Sequence, residues 1–227
     1  MFDHVPVNAA PLRRPIPSGD ELARLRAGIE RIERTTRIGS DAPVLPAPPS
    51  IARALPGGGL RVGAAYSLDR SMPLLLELLA GPTSAGKWCA VTGMPELGVE
   101  AAREAGIDLD RLVLVPHPGE RWLAVASALA EIGGIVAVRP GGRVRDGDAA
   151  RLAARLRDRE SVLLVQGAWP GAEATIRVER TSWSGLGAGW GYLDPGMRDV
   201  VVSGRRVPVA SRRTASEAPR HGLRAVG

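Results

Sequence analysis

The sequence predicts an α/β protein in which helices cover both faces of a mostly parallel, twisted sheet. Three observations predict this fold. Between residues 63 and 166, short apolar runs alternate five times with helix-like segments. The runs are apolar at nearly every position, which is typical of parallel strands that are buried on both faces. Beyond residue 173 the apolar residues alternate with a period of two, so we expect antiparallel strands at the C-terminal edge of the sheet.

Local patterns justify each element of this core. The first helix follows Ser71, a capping residue, and has Pro73 in its first turn, where a missing N–H costs nothing. Gly106 and Gly133 end two of the later helices. In chain order we expect a strand over 63–68, a helix over 72–80, a strand over 88–92, a helix over 97–105, a strand over 112–115, a helix over 120–132, a strand over 135–138, a helix over 146–158, a strand over 161–166, and antiparallel strands over 174–183 and 199–209.

A separate amphipathic helix is predicted before the core. Ser18 and Glu21 have the spacing of a capping box. A narrow apolar stripe of this kind fits a neighbouring helix or groove, and it fits equally well a helix that folds back onto its own core. The stripe, a candidate partner-binding surface, consists of Leu22, Leu25, Ile29 and Ile32.

The positive charge is concentrated at the C-terminus. The net charge is +6, and residues 203–227 hold six arginines and one acidic residue. Few large apolar residues accompany them, which predicts a basic, disordered tail over 205–227. The tail either binds an acidic protein partner or nucleic acid, or is a solvated end that binds nothing. Its candidate partner-binding residues are Arg205, Arg206, Arg212 and Arg213.

These patterns divide the chain into three parts. Residues 1–50 form an N-terminal arm, the amphipathic helix and a proline-rich, extended linker. The α/β core occupies residues 51–204, and the basic tail follows over 205–227.

Composition excludes several classes of protein. No apolar run approaches the roughly 20 residues of a membrane span, and no secretory signal opens the chain. Cys89 is the single cysteine, so no intrachain disulfide forms, and three scattered histidines give no local metal motif. We therefore expect a cytoplasmic protein with no membrane contact and no cofactor.

One segment matches a phosphate-binding pattern in the wrong place. Residues 81–87 satisfy seven of the eight positions of G-x-x-x-x-G-K-[ST]. A P-loop follows a strand and opens a helix, whereas this segment follows a predicted helix and precedes a strand. Trp88 stands where the magnesium-binding hydroxyl belongs. We interpret the segment as a helix-to-strand turn.

The turn after the first core strand is the place where a P-loop belongs, and it lacks the required residues. Asp69 would repel a phosphate, and the turn contains neither glycine nor lysine. Arg139 ends a later apolar strand where a metal-binding carboxylate is expected. These residues predict a protein that is not an enzyme. Weak nucleotide binding through Arg70 or Lys87, in a residual ATPase or a nucleotide-binding regulator, is the alternative.

The order of these segments resembles the RecA core, and within that superfamily the ImuA-type group, in particular the actinobacterial ImuA-prime proteins. The resemblance covers about residues 50–205. It is carried by 55–63, 89–91, 97–112, 115–120 and 161–166 for RecA, and by 78–82, 88–91, 112–119 and 183–187 for the ImuA-type group.

This resemblance implies a RecA-like fold and a function in the response to DNA damage. It implies a non-catalytic accessory protein of the mutasome that supports SOS-induced, error-prone translesion synthesis and associates with the nucleoid. Its implied partners are an ImuB-type Y-family polymerase homologue and an error-prone replicative-type polymerase in the same assembly. Self-association through the N-terminal helix is implied by analogy with RecA, and direct DNA contact stays open. The RecA Walker lysine has no equivalent here, and Arg139 replaces the Walker B acid.

Overall fold

Six neighbouring parallel strands and two antiparallel strands form an eight-stranded sheet in the computed structural model, which describes residues 42–182, 197–204 and the backbone of 210–215. The elements are, in chain order, β1 (Val44–Leu45), α1 (Pro49–Ala52), β2 (Leu60–Arg61), β3 (Ala65–Leu68), α2 (Met72–Ser84), β4 (Cys89–Thr92), α3 (Val99–Glu104), β5 (Leu112–Val115), α4 (Trp122–Ala130), β6 (Gly134–Val138), α5 (Asp146–Asp158), β7 (Ser161–Gln166), β8 (Ala174–Ser182), β9 (Met197–Gly204) and β10 (Ala210–Ala215).

The strand order in the sheet is β10-β9-β8-β3-β7-β6-β4-β5. The six strands from β8 to β5 are parallel to their neighbours, while β9 is antiparallel to β8 and β10 is antiparallel to β9. The predicted parallel α/β sheet with an antiparallel edge is therefore confirmed. One detail differs: β8 was expected to be antiparallel, but it runs parallel to β3, so the antiparallel pairing begins at β9.

Side chains on the two faces of the sheet enter two separate apolar clusters. Leu164 and Ile135 pack on the face that carries α2, and Leu163 and Val136 pack on the face that carries α4 and α5. Because both faces of β3, β4, β6 and β7 are covered, all residues of these strands are buried. Burial on both faces explains why their sequences are continuous apolar runs.

The helix α2 is the most deeply buried helix of the fold. Leu74, Leu75, Leu78 and Leu79 are fully buried, as expected of a helix that is apolar on every side. The segment before the sheet packs over its outer side: a Cβ on Gly81 would lie 3.0 Å from the carbonyl oxygen of Pro46. The helix is thus enclosed between the sheet and the residues that precede it.

The predicted extended linker is corrected by this packing. Residues 44–45 pair with β2 in a small antiparallel sheet, and α1 begins at Pro49. Leu45 and Ile51 are buried in the same cluster as α2, so the apolar contacts that they gain offset the cost of ordering the prolines. The compact unit that contains the sheet begins at Ser40, eleven residues before the expected start of the core at residue 51.

The sheet also extends beyond the expected end of the core. Residues 210–215 pair with β9, with Arg212 opposite Val200 and Arg213 opposite Asp199. The prediction of a disordered tail is therefore wrong for these six residues, because the backbone N–H and C=O groups on the side of β9 away from β8 pair with them. The N-terminal stripe (Leu22, Leu25, Ile29, Ile32), Arg205 and Arg206 lie outside the described residues.

Within the described ranges, no helix is long and apolar enough to cross a membrane.

We predict that Gly134→Ala is far more destabilising than Gly133→Ala. Both glycines have positive φ, +95° and +78°, so both alanines strain the backbone. A Cβ on Gly134 would also lie 2.2 Å from the carbonyl oxygen of Trp88, whereas one on Gly133 meets only the Arg159 carbonyl, at 3.8 Å. We expect a loss in unfolding free energy of about 1 kcal/mol for the matched control and about 3 kcal/mol or more for Gly134→Ala. Denaturant unfolding measures both, and equal losses would contradict the packing described.

Candidate functional site

The carboxyl ends of the parallel strands meet at one edge of the sheet, which is the usual place for a site in an open α/β fold. The chain leaves β4 toward β5 and leaves β6 toward β7, and these two strands are neighbours. Their connections therefore depart in opposite directions, and a crevice between them follows from the topology. This edge is the candidate functional site.

Asp69 occupies the N-terminus of α2 at this edge. Only three residues separate β3 from the helix. The Asp69 carboxylate accepts a hydrogen bond from the backbone N–H of Ser71 through Oδ1 (3.0 Å) and from that of Val178 through Oδ2 (2.5 Å). Ser71 Oγ in turn accepts from the N–H of Leu74 (3.4 Å). Side-chain oxygens of the protein itself thus take the positions that an anion would occupy at a helix N-terminus.

Arg139 links the ends of three parallel strands. Its Nε donates a hydrogen bond to Oε1 of Gln166 (3.0 Å), its Nη2 donates to the same oxygen, and the guanidinium also pairs with the Glu96 carboxylate. Glu96 follows β4, Arg139 follows β6 and Gln166 ends β7. The Arg139 guanidinium holds the pKa of the Glu96 carboxyl below its usual value. The Arg139 guanidinium and its two partners therefore occupy the strand end where a metal-binding carboxylate was expected.

The P-loop-like segment lies at the other end of α2. The helix runs four residues further than predicted, to Ser84. The backbone N–H of Gly86 then donates to the Thr83 carbonyl (2.9 Å) and that of Lys87 to the Pro82 carbonyl (3.0 Å). These amides satisfy the carbonyl end of the helix and do not face a ligand. The predicted helix-to-strand turn is confirmed over 85–88.

Among the described residues, His117 belongs to no group of side chains that could hold a metal ion. It follows β5 between two prolines and is exposed. Across the described part of the chain, no three histidine, cysteine, aspartate or glutamate side chains are placed to hold a metal ion.

Two grooves flank the connection between β7 and β8, on the sheet face opposite α2. One is about 540 Å³ and includes Thr175, Arg177 and Ser203, which alternate with residues that pack against α2. The other is about 440 Å³, and the buried Trp169 separates the two. Gly204, on the rim of the larger groove, immediately precedes Arg205.

A buried ion pair joins Glu77 and Arg198, and it was not predicted from the sequence. Arg198 of β9 is 4% exposed and its guanidinium contacts the Glu77 carboxylate of α2. Desolvation lowers the pKa of this guanidinium. Glu77 is the only charged residue of the otherwise apolar helix, and that isolation was the available signal of a buried partner.

A family model and a known protein match the part of the chain that forms this core. A family model described as the MT3502 N-terminal domain matches residues 53–171. The chain is also 31% identical over 195 residues to the uncharacterized protein Rv3395c of Mycobacterium tuberculosis (strain ATCC 25618 / H37Rv), a match that covers 83% of this chain and 95% of that relative. The matched domain includes Asp69, Glu96, Arg139 and Gln166.

We predict that Asp69→Ala destabilises the protein and creates a site for sulfate. The variant leaves the N–H groups of Ser71 and Val178 without the carboxylate acceptor, at a cost of about 1–3 kcal/mol. Sulfate should restore part of the lost melting temperature, because a helix N-terminus with free amides binds anions. Thermal unfolding with and without sulfate measures this.

Asp158→Ala is the matched control, since Asp158 is exposed at the end of α5. It should shift stability by no more than about 0.5 kcal/mol, and it reports the general effect of the salt. A sulfate response of Asp69→Ala no larger than that of the control would contradict the assignment.

Proposed function

Because this chain belongs to the family of the MT3502 N-terminal domain, we propose a function that rests on its core: it is a non-catalytic scaffold with a RecA-like fold. In this proposal it is an ImuA-type accessory protein of the mutasome. It supports SOS-induced, error-prone translesion synthesis by binding an ImuB-type polymerase homologue, and an error-prone replicative-type polymerase joins the same assembly. The segments over 78–82, 88–91, 112–119 and 183–187 carry the resemblance to that group.

The observation that carries the proposal is the Asp69 carboxylate at the N-terminus of α2. In a P-loop protein the amides at this position face the phosphates of a nucleotide. Here the Ser71 amide donates to Asp69 at 3.0 Å. A triphosphate would meet a carboxylate at hydrogen-bond distance, and the like charges would repel each other. This arrangement favours a scaffold over nucleotide hydrolysis.

The Arg139 cluster supports the same proposal independently. A guanidinium has five N–H donors and no acceptor, so it cannot coordinate Mg²⁺. The acid nearest to it, Glu96, is engaged by Arg139 itself. In this cluster the strand ends are held together by an ion pair and hydrogen bonds, an arrangement that needs no metal.

Two segments are the proposed partner-binding surfaces. The first is the apolar stripe of the N-terminal helix, for self-association or capture by a neighbouring core. The second is the basic C-terminal region, which follows Gly204 in the sequence. Its proposed contact is the polymerase homologue or DNA phosphates. The residues are Leu22, Leu25, Ile29 and Ile32 in the stripe, and Arg205, Arg206, Arg212 and Arg213 in the basic region.

We predict that truncation after Gly204 abolishes co-purification with the ImuB-type homologue and reduces retention of DNA. The truncation removes the basic segment and β10 but keeps β9, so the fold should survive; circular dichroism checks this. Retention of both ligands by the truncated chain would exclude the C-terminal surface.

We also predict that the double substitution Leu25→Asp and Ile29→Asp abolishes self-association, because two charges interrupt the apolar stripe. Light scattering measures the mass. Arg24→Gln with Arg31→Gln is the matched control, since it lowers the net charge by the same amount at positions that lie between the stripe residues. An unchanged mass in Leu25→Asp/Ile29→Asp would exclude the stripe.

The alternative function is a residual nucleotide-binding or ATPase regulator of RecA-type DNA repair, and a titration with ATP and magnesium tests it. The exposed Arg70 beside the N-terminus of α2 favours this alternative. We expect no binding at micromolar concentrations. Micromolar binding that is lost in Arg70→Ala or Lys87→Ala would overturn the scaffold proposal.

A further inference from the structure

We propose that Arg139 is a recognition site for a carboxylate side chain of another protein, and that Glu96 is an internal ligand which this carboxylate displaces. The inference rests on the proposed scaffold function for the source of the carboxylate. It adds the chemistry of the contact and the residues that make it.

Both the backbone and the side chain of Arg139 are held in place before any partner binds. Its N–H donates to the carbonyl of Thr92 (3.0 Å). Its carbonyl oxygen packs so closely on Gly93 that a Cβ there would lie 2.6 Å away. Its guanidinium donates twice to Gln166 Oε1. A guanidinium fixed in this way loses little conformational entropy on binding, and its planar geometry matches a carboxylate.

Gln166 supplies an independent indication of an acceptor ligand. The residue is 3% exposed. Because Arg139 has only donors, the glutamine must present Oε1 to it, which leaves Nε2 as a donor. Nε2 is buried and has no hydrogen-bond partner among the described residues. The Glu96 carboxylate contacts Arg139 but does not reach this N–H. A displacing carboxylate that reaches deeper into the cluster than Glu96 would accept from it, and so would satisfy a group whose burial is otherwise unfavourable.

Glu96 is suited to leave Arg139. Its side chain is 49% exposed, so its ion pair with Arg139 competes with water. On either side of it Met94 and Leu97 are buried, at 3% and 8% exposure. These neighbours anchor the loop, so the Glu96 side chain can turn outward while the backbone stays in place. Displacement then requires no rearrangement of the core.

The charges around the site favour an acidic protein partner. Arg70 lies close enough to help lower the pKa of Glu96. Arg143 and Arg145 are exposed on the loop that follows Arg139. When Glu96 turns away, the surface therefore has a surplus of positive charge. Asp69, at the same edge of the sheet, repels a doubly charged phosphate more than a singly charged carboxylate.

The test is a titration of the full chain with an acetylated and amidated hexaglutamate peptide, followed by calorimetry. Glu96→Gln should bind the peptide about fivefold more tightly than the wild type, the factor that corresponds to about 1 kcal/mol of competing exposed ion pair. Glu96→Gln/Arg139→Gln should lose this gain. Glu96→Gln/Arg143→Gln, the matched control for lost positive charge, should retain most of it. Melting curves check that each variant folds.

The Glu96→Gln substitution is exposed and leaves the core intact. The inference is overturned if this variant binds the peptide no more tightly than the wild type does. It is also overturned if loss of Arg139 and loss of Arg143 weaken binding equally, or if a hexaglutamine peptide or inorganic phosphate binds as tightly as hexaglutamate. The proposed scaffold function fails separately, if the polymerase homologue does not co-purify while the peptide result stands.

Discussion

The contact of the Asp69 carboxylate with two backbone amides is the constraint on which the site depends. One amide belongs to Ser71, the residue that caps α2, and the other to Val178 of β8, so a single side chain links the start of the helix to the strand that begins the C-terminal extension. The negative charge of this contact is the carboxylate of the protein's own Asp69. It compensates the positive end of the helix dipole without a bound ligand. The architecture of a ligand-binding edge is thus kept, while its most favourable anion position is filled by the protein.

At Arg139, too, side chains of the protein itself take the place of an external ligand. In many α/β proteins the strand ends are polar because they hold a metal or a nucleotide. Here the polar groups hold one another: Gln166 and Glu96 both face the Arg139 guanidinium. The two contacts are nevertheless unequal. The glutamine contact is buried, whereas the glutamate contact faces solvent, so one half of the cluster is permanent and the other is exchangeable.

Local patterns predicted the elements of the core well, because burial on both faces and capping by Ser71 are recorded within a few residues of each element. They also placed Asp69 and Arg139 at strand ends. They could not show that Asp69 reaches Val178 or that Glu77 reaches Arg198, since these pairs are 109 and 121 residues apart. Such contacts depend on which strands are neighbours, and alternation along the chain does not encode that order. The extended linker predicted before the core was wrong for the same reason. Its prolines suggest an open chain, and only the folded core shows that Leu45 and Ile51 pack in the same cluster as α2.

The Glu77–Arg198 pair makes the antiparallel extension an inseparable part of the molecule. A chain that ended before β9 would leave a carboxylate inside an apolar layer without its counterion, a far greater penalty than the loss of a surface strand. The strand β9 can therefore neither be detached nor be exchanged freely for the strand of a relative, because its removal would leave Glu77 of α2 without its counterion.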